Sequence, residues 1–277
     1  MEKNVLLTIA YDGSNYHGWQ RQPEAVTVQG QLEEVLSRVL GTKITINGTS
    51  RTDAGVHAYG QRASFKADVR IPLDKLPAVV NNSLASLERG GYAISPIRVL
   101  QAEEMPDDFH ARFNCVGKEY IYRIVNSENI DVFKRNYVYH VKPKLNVEAM
   151  QRAAKYLLGT HDFKTFEAAG STPRETTVRT IYEARIETEP MTDTISDIEA
   201  TNVTLYIKGD GFLYNMVRII TGTLVDIGLG KIPADSLPEI IDAMDRSRAG
   251  HTAPPYGLYL SEVYYDASRL ETQEETR

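Results

Sequence analysis

The chain has 277 residues, of which 42% are hydrophobic and 25% are charged, and this composition excludes a largely disordered chain, a collagen-like repeat and a coiled-coil rod. The net charge is −6, but the segments 183–210 and 262–277 carry −5 and −3, so the other 233 residues together carry +2. A nucleic-acid partner is therefore not excluded, because a basic face can coexist with acidic segments elsewhere on the surface.

The sequence predicts a cytoplasmic protein. No apolar run approaches the roughly 18 residues of a membrane span, and the first residues lack the layout of a secretory signal. The single cysteine, Cys115, cannot form an internal disulfide, which is typical of a reducing compartment. At about 100–200 residues per domain, we expect one large domain or two of ordinary size.

Hydrophobic periodicity and turn residues predict strands and helices along the whole chain. In the first half the predicted strands are 5–13, 61–66 and an extended run at 92–103, and the predicted helices are 27–40 and 73–84. In the second half the predicted strands are 120–125, 136–141, 177–189, 198–208 and 258–265, and the helices are 146–158, 212–229 and 234–244. The runs 177–189 and 198–208 are expected to pair as antiparallel strands joined by an acidic loop.

Local signals mark the ends of two of these helices. Thr27 is placed to cap the first helix and Gly41 to end it, and Asn146 is placed to cap the helix that precedes Gly159. The helix at 212–229 is largely apolar, which predicts that it is buried.

Mixed strands and helices in two similar halves predict an α+β fold with a cleft between two lobes. We expect residues 1–111 to form the first lobe and residues 112–265 the second. Residues 266–277 are expected to form a charged, frayed tail.

The densest combination of turn, charge and ring residues is Ser50–Ala58, with the sequence SRTDAGVHA. Asp53 in this loop can accept hydrogen bonds from the backbone N–H groups that follow it, which would fix the orientation of its carboxylate. An isolated Thr-Asp-Ala-Gly is most often an ordinary turn. An arginine and a histidine within four positions of Asp53 favour a functional loop instead.

The loop resembles the signature of a known family, the tRNA pseudouridine synthases of the TruA type. The matching stretch is residues 51–58, RTDAGVHA, and the resemblance spans about residues 5–265. Further segments agree with the family in the same order: Tyr11–Gly13, Gly18–Gln20, His110–Phe113, Lys118–Tyr122, Gly159–Phe163, Val178–Ile181, Gly211–Arg218, Thr252–Pro255 and Gly257–Leu260. Because so many matches follow one order, the resemblance implies the family's fold, two similar lobes that share a mixed, largely antiparallel sheet flanked by helices.

The resemblance also bears on two local questions. Periodicity alone leaves residues 44–50 open between an extended segment and a hairpin around Asn47-Gly48. The resemblance places this pair inside a strand. Ser50 stands where many relatives have glycine, so the backbone at this position is expected to be less free.

The reaction that the resemblance implies detaches uracil from C1′ of the ribose, turns it and rejoins it through C5. Asp53 matches the family's nucleophilic aspartate; addition to C1′, addition to C6 and assisted elimination all remain open for its carboxylate. Arg218 matches the cation that pairs with this aspartate. A close arginine typically lowers an aspartate pKa by about 1–3 units, which would keep the carboxylate ionised. Considered alone, Arg218 could also be a helix-surface arginine. Tyr120 matches the tyrosine that stacks on the target base and assists in removing the C5 proton, although it could also be a core aromatic.

The basic residues are candidates for binding the substrate RNA. Arg21, Arg51 and Arg112 are expected to contact phosphates, which set register without reading base identity. Each of them is more often a solvated charge when considered alone. His57 is equally compatible with a phosphate contact and with a cap of its own turn.

The six histidines and the cysteine show no zinc-ligand spacing, and neither GxxxxGK nor GxGxxG occurs. We therefore expect no metal and no cofactor. The resemblance implies a cytoplasmic homodimer that modifies uridines 38, 39 and 40 of the tRNA anticodon stem-loop. Two alternatives stay open: a glycosidase-like hydrolase with Asp12 or Asp162 as its second carboxylate, and an RNA-binding module without turnover.

Overall fold

The computed structural model describes residues 2–87, 94–170, 175–192 and 199–270. The chain divides into two compact units, of which the first comprises Met1–Cys115 with Tyr259–Tyr265 and the second comprises Val116–Leu258 with Asp266–Arg277. The sequence predicts that all of residues 112–265 belong to the second lobe. The structure instead groups Tyr259–Tyr265 with the first unit, in which Tyr259 and Leu260 pair with His57 and Ala58.

The described residues form ten strands and five α-helices, so the fold belongs to the α+β class. The strands are β1 (Glu2–Tyr11), β2 (Asn47–Gly48), β3 (His57–Asp68), β4 (Ile97–Met105), β5 (Gly117–Asn126), β6 (Tyr139–Val141), β7 (Gly159–Asp162), β8 (Val178–Thr192), β9 (Glu199–Gly209) and β10 (Leu258–Tyr264). The helices are α1 (Val28–Leu40), α2 (Leu76–Ala85), α3 (Val147–Ala154), α4 (Met216–Gly228) and α5 (Leu237–Asp242).

The first unit contains a mixed, mostly antiparallel sheet. Its strand order is β4-β1-β3-β10, with β1 antiparallel to both β3 and β4. Tyr259 and Leu260 of β10 run parallel to the start of β3. Helix α1 buries Leu32, Val35 and Leu36, which fall on one face of the helix at the predicted spacing.

In the second unit the strand order is β5-β9-β8-β7, these strands are antiparallel throughout, and β6 pairs in parallel with β5. The predicted pairing of the two long runs is confirmed as β8 with β9, although the acidic loop between them lies outside the described residues. Helix α4 is almost entirely buried, as its apolar sequence predicts.

The starts of α1 and α3 and the end of α1 lie where the sequence predicts them, whereas α3 ends at Ala154, before the predicted end at residue 158. The Thr27 hydroxyl accepts a hydrogen bond from the N–H of Gly30, and Gly41 ends α1 in the left-handed conformation. The Asn146 side chain likewise accepts from the N–H of Ala149. Asn47 pairs with Ser64 of β3, so the extended alternative is confirmed and the hairpin alternative is wrong.

Among the predicted element ends that differ from the structure, three have a clear physical reason. Helix α2 begins at Leu76 because the residues before it form a turn, in which the N–H groups of Lys75 and Leu76 donate to the carbonyl of Pro72. Helix α4 begins at Met216 because Asn215 has a φ of 59°, which a helix cannot continue. The tail does not fray at residue 266, because Asp266 caps a short 3₁₀ turn and Leu270 is buried against Gly117.

Candidate active site

The Asp53 loop joins β2 to β3 and is a tightly held turn. The backbone carbonyl of Asp53 accepts a hydrogen bond from the N–H of Val56 at an N···O distance of 3.2 Å. Gly55 lies inside this turn with a φ of 78°, a conformation that favours glycine. Thr52 and Val56 are buried and Asp53 is half-buried, so the carboxylate lies on a short turn whose neighbouring side chains are fixed in the unit.

The chain that follows β1 holds the loop in place through Thr52. The hydroxyl oxygens of Tyr11 and Thr52 are 2.7 Å apart, within hydrogen-bond distance. The N–H of Trp19 donates to the carbonyl of Thr52 at 3.0 Å. Gly18 passes so close that a β-carbon there would lie 2.6 Å from the same carbonyl oxygen. The residue next to Asp53 is therefore fixed by both its side chain and its backbone.

His57 is 2% exposed and forms the far end of the loop. Its Nδ1 accepts a hydrogen bond from the N–H of Gly13 at 3.1 Å and lies 3.2 Å from a carboxylate oxygen of Asp12. The ring stacks on Tyr259 with 4.7 Å between ring centroids. Of the two roles that the sequence leaves open for His57, this burial favours the one that fixes the turn.

Tyr120 lies in β5 of the second unit, on the same buried face as Tyr122. The Tyr120 side chain is 7% exposed, and its ring meets the ring of Phe212 edge to face, with 5.2 Å between centroids. Tyr122 donates its hydroxyl hydrogen to the carbonyl of Pro254 at 2.6 Å. Burial raises the pKa of the Tyr122 hydroxyl well above its ordinary value, and the positive charge of Arg218 acts in the opposite direction.

Arg218 lies in the first turn of α4 and is half-buried, not a solvent-facing helix residue. Its Nε donates to the carbonyl of Ala253 at 2.8 Å, and its Nη1 donates to the side-chain oxygen of Asn215 at 2.7 Å. Two bonds from different nitrogens fix the plane of the guanidinium as well as its position.

The three arginines predicted to contact RNA are all exposed. Arg21 is already paired, since its Nε lies 2.7 Å from a carboxylate oxygen of Glu33. Arg112 lies beside the ring of Phe113, with 5.9 Å between its guanidinium carbon and the ring centroid. Phe113 is 77% exposed, which is unusual for a phenylalanine. Arg51 belongs to the Asp53 loop itself.

Several residues that the sequence does not mark as functional hold Arg218 or the loop of Asp53. Tyr11 holds Thr52, and Asn215 and Ala253 hold Arg218. All three lie in segments that resemble the family, so the signal was present. Their roles depend on contacts between distant parts of the chain, which periodicity does not show.

None of the described helices is long and apolar enough to cross a membrane. No three His, Cys, Asp or Glu side chains in the described ranges are grouped so that they could hold a metal ion.

Comparisons with known proteins identify the class of the chain. The family model of tRNA pseudouridine synthases matches residues 7–114 and 153–266. The chain is 48% identical to tRNA pseudouridine synthase A of Acetivibrio thermocellus and 45% identical to that of Ruminiclostridium cellulolyticum. Each match covers 263 residues, which are 95% of this chain and 100% of the relative. The chain therefore belongs to the tRNA pseudouridine synthase family, whose members are isomerases. Within the family, these relatives identify the TruA type.

Proposed function

We propose that the protein isomerises uridine to pseudouridine at positions 38, 39 and 40 of the tRNA anticodon stem-loop, without a cofactor. The observation that carries this proposal is the RTDAGVHA loop in a chain that belongs to the family. In this loop Thr52 is held by Tyr11 of β1, and His57 is held by Gly13, which follows β1. In the proposed reaction the bond between N1 and C1′ breaks, the uracil turns, and a bond between C5 and C1′ forms. The proton lost from C5 balances the proton gained at N1.

Three residues have named roles in the proposal. Asp53 is the nucleophile, since a carboxylate can stabilise the electron-poor sugar that forms when the base departs. Arg218 is the cation that keeps Asp53 ionised, and the fixed plane of its guanidinium supports that role. Tyr120 contacts the target base and assists in removing the C5 proton.

Substrate binding is assigned to the exposed basic residues. Arg51, Arg112 and Arg21 contact tRNA phosphates, and Phe113 beside Arg112 offers an exposed ring to the RNA. His57 supports binding indirectly, because it holds the loop from a buried position. By family resemblance, the enzyme works in the cytoplasm as a homodimer that holds one tRNA. Light scattering of the protein with and without tRNA tests the dimer.

The hydrolase alternative requires a second carboxylate close to the sugar. Asp12 and Asp162 are both engaged in local structure, since Asp12 accepts from the backbone and hydroxyl of Ser14, and Asp162 accepts from the N–H of Lys164. Either residue would have to leave its turn to act. These contacts favour the isomerase over the hydrolase.

The experiment uses tRNA transcripts that carry uridine tritiated at C5, with only one of positions 38, 39 and 40 occupied by uridine in each. The proposal predicts tritium release from all three transcripts and no free uracil. Free uracil would identify a hydrolase, and binding without release would identify an RNA-binding module. Release from transcripts with uridine only outside the anticodon stem-loop would contradict the proposed specificity.

A further inference from the structure

A loop of the second unit lies along one face of α4, and we name residues 249–254 the clamp loop. Near the start of α4, the N–H of Ala253 donates to the carbonyl of Arg218 at 3.0 Å. Near its end, the N–H of His251 donates to the carboxylate of Asp226 at 3.1 Å. The clamp loop therefore runs antiparallel to the helix and connects Arg218 to Asp226, which lie eight residues and about 12 Å apart along the helix axis.

Between these two contacts, the backbone of the clamp loop touches the backbone of the helix. Arg218, Gly222 and Asp226 are spaced by four residues and share one helix face. A β-carbon at Gly222 would lie 1.8 Å from the carbonyl oxygen of His251, so only glycine permits this approach. The N–H of Gly250 also donates to the hydroxyl of Thr223 at 2.9 Å. The backbone of the clamp loop is thus in direct contact with α4.

Asp226 anchors the far end of the clamp loop. Its Oδ2 accepts from the N–H of His251 and lies 2.9 Å from Nδ1 of the His251 ring, while its Oδ1 lies 3.0 Å from Nζ of Lys231. The Asp226 side chain is only 10% exposed. Burial acts to raise the pKa of Asp226, but the hydrogen bonds from His251 and Lys231 outweigh it and lower the pKa. The anchor is therefore an ionised carboxylate with charge-assisted bonds.

Arg246 makes further contacts with the clamp loop. Arg246 donates from Nη1 to the carbonyl of Gly250 and from Nη2 to the hydroxyl of Thr252, each at 3.0 Å. At the end of the clamp loop that lies by Arg218, the Ala253 carbonyl accepts a hydrogen bond from Nε of Arg218. Together with the side-chain oxygen of Asn215, this carbonyl oxygen sets the orientation of the guanidinium.

We propose that Asp226 and His251 are positioning residues for Arg218, because they fix the clamp loop so that the Ala253 carbonyl orients the guanidinium. This inference rests on the proposed role of Arg218 in the reaction. Neither residue is assigned a contact with the substrate. Their loss is therefore expected to slow the chemical step and to leave tRNA binding nearly unchanged.

The first test removes the His251 ring, whose side chain is 36% exposed, so that the fold should survive its loss. We expect His251→Ala to lower the single-turnover rate about 10–100-fold, since small misplacements of reacting groups can cost this much. The dissociation constant for tRNA should change less than about threefold, because phosphate contacts dominate binding. His251→Asn, whose amide nitrogen can donate to Asp226 from a similar position, should recover most of the rate. The matched control is His140→Ala, which removes another half-buried ring that bonds only to the carbonyl of Ser127.

The second test is a double-mutant cycle between His251→Ala and Arg218→Lys, measured as single-turnover rates. If His251 acts through Arg218, the double variant should be little slower than Arg218→Lys alone. Multiplied losses would overturn the proposal, as would a normal rate in His251→Ala. A loss in His251→Ala that His251→Asn does not recover, or that His140→Ala matches, would overturn it too. Arg218→Lys alone keeps the two proposals apart: if it retains the wild-type rate, the proposed role of Arg218 itself is wrong.

Discussion

The backbone N–H of Gly13 donates a hydrogen bond to Nδ1 of His57, with 3.1 Å between the two nitrogens. This bond joins the turn after β1 to the far end of the Asp53 loop. A β-carbon at Gly13 would lie 2.0 Å from the carbonyl oxygen of Val56, so the two segments are in direct backbone contact. The position of Asp53 therefore depends on a contact between residues more than forty positions apart in the sequence.

His57→Ala should remove this bond and the ring that stacks on Tyr259. We expect the single-turnover rate to fall about 10–100-fold, because Asp53 loses its fixed position. tRNA affinity and its dependence on salt should stay near the wild-type values if His57 only holds the turn. His17→Ala, which removes an exposed histidine ring, is the matched control. Weaker binding with a shallower salt dependence would show instead that His57 contacts a phosphate.

Tyr120→Phe keeps the ring that packs against Phe212 and removes only the hydroxyl. If the hydroxyl assists in removing the C5 proton, the single-turnover rate should fall about 10²–10⁴-fold with tRNA binding preserved. Tyr120→Leu should lose the ring contact as well and be at least as slow. Tyr156→Phe, at a half-exposed tyrosine of the same unit, serves as the control. Full activity in both Tyr120 variants would exclude either role for this residue.

Arg218→Ala should remove the cation that the proposal assigns to Asp53. The pKa of Asp53 should then rise, so that less of the carboxylate is ionised at neutral pH. Most activity should be lost near pH 7, and part of it should return as the pH rises and Asp53 ionises. Arg218→Lys should be intermediate, because an ammonium group cannot reproduce the planar guanidinium.

Single-turnover rates between about pH 6 and about pH 9 test the Arg218 prediction, with tRNA binding measured separately. A wild-type profile for Arg218→Ala would remove Arg218 from the site. A loss that does not recover with pH would show that the substitution displaces Asp53 and leaves its ionisation unchanged.

Asp226 should make stability depend on pH in the acid range. Its pKa is lower in the folded protein than the ordinary value near 3.8. The stability it contributes is therefore fully present above that ordinary pKa and is lost as the pH falls through the lower folded pKa. We expect Asp226→Asn to lower the free energy of unfolding by about 1–3 kcal/mol near neutral pH. Denaturant unfolding should show this difference shrinking below about pH 4.

The exposed Asp235 provides the control for the Asp226 prediction, since its substitution by Asn should have little effect on stability at any pH. An Asp226→Asn difference that stays constant down to about pH 3 would contradict the assigned ionisation of the carboxylate.

The sequence predicts features of the fold that depend on local chemistry. The two ends of α1 follow from a capping hydroxyl at Thr27 and a left-handed glycine at Gly41, and both act within a few residues. The burial of α4 follows from its own composition. The resemblance likewise predicts Asp53 as the candidate nucleophile, because the motif that contains it is one contiguous stretch of the sequence.

Features that depend on distant contacts could not be predicted in this way. The parallel pairing of Tyr259 with His57 joins residues about two hundred positions apart, both of which belong to the first unit. Leu270 is buried in an otherwise charged tail because it packs where Gly117 has no side chain, and no pattern in the tail reveals this contact. The clamp loop on α4 depends in the same way on the absence of a side chain at Gly222.

We propose that the Asp53 carboxylate performs the chemistry, and tritium release from C5-labelled tRNA by Asp53→Asn tests this role. The asparagine keeps the shape of the side chain and removes its charge, so that the loop and the phosphate contacts should persist. We predict that tRNA affinity stays within about threefold of the wild type, because phosphate contacts dominate binding. Tritium release should be abolished in single-turnover conditions. Substantial release by Asp53→Asn, from a preparation free of wild-type enzyme, would contradict the claim.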